Sequence, residues 1–129
     1  MKKLLLIGLL FFLLVSCKKN NIQKAPIGGI WIETTFKTDT LVFDNQRTRF
    51  ILNRGTEIRN GYLLPRYLSG PYSYEIVNDS ISLQHLLSCS AYGNNYYFNI
   101  DSENGKIKIG NFFVDASNKD VILTFARIH

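Results

Sequence analysis

Short runs of alternating apolar and polar residues, separated by turn dipeptides, constrain the fold of this 129-residue chain more than any other feature. The clearest example joins Tyr72–Val77 to Ser80–Leu87 through Asn78-Asp79, a dipeptide that tolerates the positive φ angles of tight turns. Every second side chain of the second run shares one face of a strand: Ile81, Leu83, His85 and Leu87. This period of two residues predicts an antiparallel β-hairpin.

The same pattern continues along most of the chain after residue 28, without any long 3.6-residue period. Asn60-Gly61, a strong hairpin signal, divides Thr56–Leu64 into two strands. Pro65–Pro71 is expected to be irregular, since proline has no N–H to donate to a sheet. The other predicted strands are Ile30–Phe36, Thr40–Phe43, Thr48–Asn53, Tyr96–Ile100, Lys106–Ile109, Phe112–Val114 as a continuation of the one before it after a break at Gly110, and Val121–Ile128. About eight to ten short strands at this spacing predict an all-β barrel or sandwich.

The first 17 residues differ in composition from the rest of the chain. Lys2 and Lys3 precede Leu4–Val15, an unbroken apolar run of 12 residues. A membrane-spanning helix needs ~20 apolar residues, whereas the apolar part of an export signal is shorter. We therefore interpret the start of the chain as a signal peptide.

The signal ends in Leu14-Val15-Ser16-Cys17, which resembles the lipobox of bacterial lipoproteins. The resemblance implies that residues 1–16 are removed, that the Cys17 sulfur receives a diacylglycerol, and that the new amino terminus is acylated, for example with palmitate. Each buried acyl methylene contributes ~0.8 kcal/mol, so several chains hold such a protein firmly at a membrane. Residues 17–27 would then form a polar, lipidated tether and residues 28–129 one globular domain.

The residue after the lipidated cysteine bears on the location within the cell envelope. Lys18 stands where some lipoproteins carry the Asp that retains them in the inner membrane. The acidic export signal of some surface lipoproteins is missing as well. The resemblance therefore implies an outer-membrane protein that faces the periplasm.

The basic character of the chain is confined to its start. The formal net charge is +5, and removal of Lys2 and Lys3 with the signal lowers it to +3. Three more lysines, Lys18, Lys19 and Lys24, lie in the tether, so the domain itself has equal numbers of basic and acidic side chains. A nucleic-acid-binding domain needs basic residues clustered on its folded surface. The distribution of charge therefore argues against a nucleic-acid partner.

The two cysteines limit the redox and metal chemistry of the chain. If Cys17 carries lipid, Cys89 has no partner for an internal disulfide, and we expect it to be buried as a small apolar side chain. His85 lies four residues before Cys89, or ~13 Å away on an extended strand, which is too far for both to bind one zinc ion. We expect no metal and no cofactor.

Two residues near the ends of the domain indicate how the sheet closes. Gly29-Ile30-Trp31 is a G-x-W on the first predicted strand, and Arg127 lies on the last. This pair resembles the pattern of lipocalins, in which an Arg of the last strand packs over the Trp of the first. A guanidinium over an indole contributes ~0.5–2 kcal/mol. The resemblance implies an antiparallel up-and-down barrel of about eight strands, and a β-sandwich is the alternative.

Tyrosine is concentrated in one part of the chain, since all seven tyrosines fall between positions 62 and 97. Tyrosine combines an apolar ring with a polar hydroxyl, which suits both half-buried sheet positions and binding surfaces. An eight-stranded barrel can hold one small ligand or fill its interior with side chains. If it holds a ligand, the residues expected to line the site are Tyr72, Tyr74, His85, Tyr96 and Phe98.

Two functions are compatible with this sequence, and neither is enzymatic. The first is a membrane-anchored lipoprotein whose barrel binds a small hydrophobic or amphiphilic ligand. The second is a filled β-domain that contacts an envelope protein through loops bearing Tyr62, Tyr67 and Tyr92. Catalysis is not indicated, because the chain lacks a G-x-S-x-G nucleophile motif and most of its Asp residues fall in predicted turns.

Overall fold

The computed structural model describes residues 27–89, 93–113 and 120–128. Within these ranges the chain forms β-strands joined by short connections. The strands are β1 Gly29–Glu33, β2 Thr40–Phe43, β3 Arg49–Asn53, β4 Thr56–Arg59, β5 Tyr62–Pro65, β6 Gly70–Val77, β7 Ser80–His85, β8 Asn94–Asp101, β9 Lys106–Gly110 and β10 Ile122–Ile128.

Eight of these strands close into an antiparallel barrel in the order β1-β10-β9-β8-β7-β6-β3-β2. Neighbours in space are neighbours in sequence except at the closure, where β1 pairs with β10, and where β4 and β5 are inserted between β3 and β6. The predicted up-and-down barrel is confirmed. The β-sandwich alternative does not apply, because β1 pairs with both β2 and β10 and the sheet closes on itself.

The inserted strands β4 and β5 form a separate two-stranded hairpin. Its turn is Asn60-Gly61, with φ angles of 52° and 79°. A two-residue turn with both φ angles positive matches the twist of the flanking strands, and Asn and Gly adopt it at low cost. The predicted division of this segment is therefore confirmed, and β5 extends to Pro65.

Alternation along the strands places one apolar face inside the barrel. On β7 and β8, for example, Ile81, Leu83 and Phe98 are buried while the residues between them are more exposed. The interior is filled by the chain's own side chains. The largest of those that are fully buried are Phe50, Phe98, Phe125, Leu41, Leu52, Ile81, Ile107 and Ile109.

One end of the barrel, where β1 begins, is closed by Trp31 and Arg127. These residues are opposite each other in the β1–β10 ladder, and the guanidinium carbon lies 5.5 Å from the centre of the indole ring. Arg127 also donates to the carbonyl of Gly28, and the indole Nε1 donates to the carbonyl of Ile27 at 2.8 Å. The expected contact between the first and last strands is confirmed.

The opposite end, which we call the upper end, is where β1, β3, β7 and β9 finish. Here Phe112 and Phe113 are buried rather than continuing the preceding strand as predicted. The N–H of Asn111 donates to the carbonyl of Val121 at 2.8 Å, which extends the β9–β10 pairing by one residue. Its side-chain oxygen then accepts from the N–H of Phe113 at 3.3 Å, a local turn that accompanies the departure of the chain from the sheet. Both phenylalanine rings are buried beyond this point.

Two other predicted strands end early. β1 stops at Glu33, whose buried carboxylate accepts hydrogen bonds from the N–H groups of Thr35 and Phe36 at 2.8 and 2.6 Å. Burial by itself would raise the pKa of this carboxyl, but the hydrogen bonds outweigh it and lower the pKa below the ordinary value. β7 stops at His85, so Leu87 is exposed and does not share the inner face.

The proline and cysteine predictions for this part of the chain need correction. Pro71 is not in an irregular segment but is the second residue of β6. Its carbonyl accepts from Leu86, just beyond the end of β7, so the missing proline N–H removes only a bond at the margin of the ladder. Cys89 is exposed, not buried, because it lies in the connection after β7 rather than on a strand.

Candidate functional site

The five residues predicted to line a ligand site all lie on the inner face of the barrel. Tyr72 and His85 are opposite each other on β6 and β7, and Tyr96 is opposite the buried Ile81. Phe98 is 2% exposed, whereas Tyr74 and Tyr96 are partly buried against the core. The five residues therefore face the same interior, as predicted. That they bind a ligand stays a prediction.

Four of the five residues, Tyr72, Tyr74, His85 and Tyr96, contact other aromatic rings. The ring of Tyr72 is stacked on that of Phe50, with 5.2 Å between the ring centres, and the centre of the His85 ring lies 4.7 Å from it. Tyr74 contacts Phe43 and Phe50 at 5.4 and 6.1 Å. We call these connected rings the aromatic cluster. Its members are Phe43, Phe50, Tyr72, Tyr74, His85, Tyr96, Phe112 and Phe113.

Phe112 lies at the centre of the aromatic cluster. Its ring makes edge contacts with Tyr72 at 5.4 Å, with Tyr96 at 6.0 Å and with Phe50 at 5.9 Å, and it packs against Phe113 at 4.9 Å. This role was not predicted, because Phe112 was assigned to a strand that resumes after the predicted break at Gly110. The Gly110-Asn111 pair before two aromatic residues is typical of a turn and was the signal for a lasting change of direction.

Burial controls the chemistry of Tyr72. Its hydroxyl donates to the carbonyl of Leu68 at 2.8 Å. Burial raises the pKa of this hydroxyl to about 12, with a smaller contribution from the nearby Tyr96 and an opposing one from Arg54. Tyr72 is therefore neutral at physiological pH and serves as a hydrogen-bond donor rather than as a base.

Three side-chain polar atoms that are shielded from solvent have no hydrogen-bond partner among the described residues. One is Nε of Arg54, and the other two are Nε2 of His85, which faces Tyr72 across the β6–β7 ladder, and Oγ of Ser69. A Cβ placed on Gly70 would lie 3.1 Å from Nε2, so glycine leaves room for the imidazole here. An unsatisfied buried polar atom costs ~1–3 kcal/mol, so these two atoms are candidates for contact with water or with a polar group of a ligand.

Arg54 links the upper end to the inserted hairpin. Its guanidinium lies 4.4 Å from the ring centre of Phe113, and its NH1 donates to the carbonyl of Tyr67 at 2.9 Å. The Nε atom is 3.7 Å from a carboxylate oxygen of Asp39, which is an ion pair but too long for a hydrogen bond. Arg54 thus holds the β3 end, the phenylalanine pair and the segment after β5 together.

A groove of about 440 Å³ lies on the outer face of β6 and β7. The polar side chains along it come from cross-strand pairs, Ser73 opposite Gln84 and Glu75 opposite Ser82. This groove is outside the barrel and differs from the predicted interior site, with which it shares only Tyr74. Its lining residues are Thr48, Ser73, Tyr74, Glu75, Ser82, Gln84 and Gly93.

The β4–β5 hairpin carries several exposed apolar side chains near the upper end, where Phe36, after β1, and Leu87, after β7, are exposed as well. Ile58 and Leu63 are opposite each other on one face and are 76% and 70% exposed. On the other face Tyr62 is 71% exposed. Tyr67, in the connection to β6, is 69% exposed. Two of the three tyrosines predicted for protein contact are therefore on the surface, while Tyr92 lies outside the described residues.

The structure also bears on other classes of site. In the described ranges no three His, Cys, Asp or Glu residues are grouped so that they could hold a metal ion. No helix within those ranges is both long enough and apolar enough to cross a membrane. Cys17, the predicted lipid attachment site, lies outside the described residues.

Comparison with known proteins does not assign the chain to a family. No protein-family model matches it, and searches of curated proteins and of solved structures found no match either.

Proposed function

We propose that this protein is a lipid-anchored, non-enzymatic envelope lipoprotein that contacts another protein through its β4–β5 hairpin, with the barrel as a rigid support. The observation that carries the proposal is the contrast between a filled interior and a hairpin whose apolar side chains are exposed. Ile58 and Leu63 are opposite each other on one face of that hairpin, and both are mostly accessible to solvent. Exposed aromatic and aliphatic side chains grouped together are typical of protein contact surfaces.

The aromatic cluster supports this choice over a hollow carrier. The rings of Phe112 and Phe113 occupy the upper end of the interior and pack on Tyr72 and Tyr96. An eight-stranded barrel is just wide enough for side chains to fill it. Ligand entry from this end would require both phenylalanines to move.

The direction of the hairpin supports a protein partner rather than the membrane that would hold the anchor. The chain enters the barrel at Gly28 and Gly29, at the end where β1 begins. The hairpin follows Asn53, which is opposite Thr40 at the other end of the barrel. With a lipid on Cys17 and a short tether, the hairpin points away from the anchoring surface.

The test is site-specific photo-cross-linking in intact cells. A photoreactive amino acid replaces Tyr62 on the hairpin, and a control replaces Val77, which is exposed at the opposite end of the barrel. We expect a discrete protein adduct from position 62, absent from position 77 and lost when Leu63→Asp is added. Equal labelling from both positions, or an adduct that is insensitive to Leu63→Asp, would count against the hairpin as a contact surface.

Binding of a small hydrophobic or amphiphilic ligand inside the barrel is the second candidate. It is favoured by two buried atoms that have no hydrogen-bond partner among the described residues: Nε2 of His85, a residue of the predicted lining, and Oγ of Ser69, which precedes β6. Native mass spectrometry of the protein released from its own membrane tests it. A co-purifying small molecule that is lost in His85→Leu but retained in Gln84→Leu, on the outer face of the same strand, would support a ligand inside the barrel. If the wild-type protein and both variants all have the mass of the chain without a ligand, the result would argue against ligand binding inside the barrel.

A further inference from the structure

The two edges of the β4–β5 hairpin can be told apart from its hydrogen-bond pattern. The N–H of Arg66 donates to the carbonyl of Gly55 at 3.0 Å, so this pair is hydrogen-bonded. Bonded and non-bonded pairs alternate along an antiparallel ladder. The pair Ile58–Leu63 is therefore non-bonded, and the backbone N–H and C=O of Ile58 point outward from the free edge of β4. The same holds for Thr56.

The edge of β5 is blocked at Pro65, whereas no proline interrupts the edge of β4. On β5, Pro65 has no N–H, and its carbonyl already accepts from the guanidinium of Arg59 at 2.8 Å. Proline at an edge is a common way to prevent a further strand from pairing. On β4 none of the residues Thr56–Arg59 is proline, and in the described part of the chain β4 pairs with β5 alone.

We propose that the free edge of β4 pairs with the same edge of a second copy of this chain, which makes a four-stranded sheet about a two-fold axis at Ile58. The inference rests on the proposed function in taking the hairpin as a contact surface, and it names the partner of the β4 edge. With Ile58 opposite Ile58 of the second copy, the two outward-pointing backbones exchange both hydrogen bonds of a bonded pair. A symmetric contact of this kind buries the same patch on both copies.

Side-chain chemistry fits this register on both faces of the sheet. Glu57 of one copy is opposite Arg59 of the other, and the symmetry gives this opposite-charge pair twice. Within one copy, Nε of Arg59 lies 3.0 Å from a carboxylate oxygen of Glu57, so both charged groups lie on the same face of the hairpin. On the other face, Leu63 and Ile58 of one copy continue into Ile58 and Leu63 of the second as one apolar stripe.

The neighbouring registers fit less well. An axis at Glu57 would bring two carboxylates directly opposite each other, which is destabilising, and the backbone groups of Glu57 are already bonded to β5. An axis at Thr56 would place Ile58 opposite Arg54, whose guanidinium is engaged with Phe113 and Asp39. With the axis at Ile58, the two copies form backbone hydrogen bonds, opposite-charge pairs and apolar contacts in the same register.

Disulfide trapping of the full-length protein in its own membrane tests this arrangement. All variants carry Cys89→Ser, because Cys89 is exposed and would otherwise cross-link by itself. Opposed residues of a bonded pair have Cα atoms ~5.5 Å apart, which is within the range that a disulfide spans. We expect Ile58→Cys to give a covalent dimer on mild oxidation. Leu63→Cys, on the edge that is blocked at Pro65, should stay monomeric.

Charge exchange adds a control that does not depend on the new cysteine alone. In the Ile58→Cys background, Glu57→Arg or Arg59→Glu should each reduce the dimer, because like charges then face each other. The double variant Glu57→Arg with Arg59→Glu should restore it. All three variants change residues of the hairpin, outside the buried core of the barrel, and unchanged thermal unfolding confirms that the barrel is intact.

The possible results separate this inference from the proposed function. Ile58→Cys that stays monomeric, while photo-cross-linking at position 62 still gives an adduct with another protein, would overturn self-pairing and leave protein contact standing. A dimer from Leu63→Cys, or a dimer that the charge reversals leave unchanged, would also overturn this register. A dimer from Ile58→Cys with loss and restoration by charge exchange supports it.

Discussion

The hairpins β4–β5 and β6–β7 have similar turn sequences, but one lies outside the barrel and the other is part of its wall. Each turns at an Asn with a positive φ angle, 52° at Asn60 and 54° at Asn78. The strands of β6–β7 pair on both sides and bury Tyr72, Ile81 and Leu83. The strands of β4–β5 pair only with each other and expose Ile58 and Leu63. Turn chemistry therefore makes a hairpin, but closure of the barrel decides whether its apolar face becomes core.

A matched pair of Leu→Ala substitutions tests this difference most directly. Leu83 on β7 is buried, so Leu83→Ala should lower the free energy of unfolding by ~2–5 kcal/mol. Leu63 on β5 is mostly exposed, so Leu63→Ala should change it by less than ~0.5 kcal/mol. Urea denaturation measures both. Similar losses for the two variants would show that the hairpin belongs to the cooperative core.

Alkaline pH should destabilise the barrel through Tyr72. Because its pKa is about 12 in the folded state and ~10 in the unfolded state, the unfolded chain loses this proton first as the pH rises. Stability is therefore intact below pH ~10 and falls by ~2–3 kcal/mol by pH ~12 through this group. Tyr72→Phe should remove that part of the pH dependence, as measured by urea denaturation at a series of pH values. Tyr62→Phe, which removes an exposed hydroxyl, is the control, and an unchanged slope in Tyr72→Phe would contradict the assignment.

The two turn asparagines should differ in their effect on global stability. A residue with a Cβ and no local hydrogen bonding costs ~1–2 kcal/mol at a left-handed φ angle. Asn78→Ala should lower the stability of the whole barrel by that amount, since β6 and β7 are part of it. Asn60→Ala should mainly loosen the hairpin, which hydrogen exchange of the β4 and β5 amides would detect while the urea midpoint stays constant. A large shift of the midpoint by Asn60→Ala would mean that barrel folding depends on the hairpin.

The smallest effect on stability is expected from the ion pair of the exposed hairpin. Glu57 and Arg59 are both substantially solvent-accessible, and such pairs contribute ~0–1 kcal/mol. Glu57→Gln should therefore leave the thermal midpoint almost unchanged, although it removes one member of each proposed pair between copies. A marked loss of thermal stability in a dilute, monomeric sample would assign this pair a structural role instead.

Much of the barrel could be predicted because each of its signals is local. Alternation and turn dipeptides were sufficient to find the β6–β7 hairpin, the Asn60-Gly61 turn and the inward face that carries Tyr72 and Phe98. The contact of Trp31 with Arg127 was predicted from a resemblance, which supplied the long-range information that alternation lacks.

The features that sequence analysis missed depend on where strands end in three dimensions. Phe112 comes directly after a strand pattern, but the chain leaves the sheet at Asn111, whose side-chain oxygen accepts from the N–H of Phe113, and the ring of Phe112 is buried in the aromatic cluster. Leu87 continues the alternation of β7, but the ladder has ended at His85, so the side chain is exposed. Cys89 was expected to be buried from its residue type, yet its place in a connection outweighs that preference. Boundaries of this kind are set by the partner strands.

Closure of the barrel also determines when the chain can fold. Arg127 binds the carbonyl of Gly28 across a sequence separation of 99 residues, and it faces Trp31 in the ladder that seals the sheet. Until β10 is synthesised, one edge of β1 is unpaired and the barrel cannot close around its core. Contacts between such distant segments form slowly, because the intervening chain must first be brought together. Pairing of β1 with β10 is therefore expected to be a late step in the folding of this barrel.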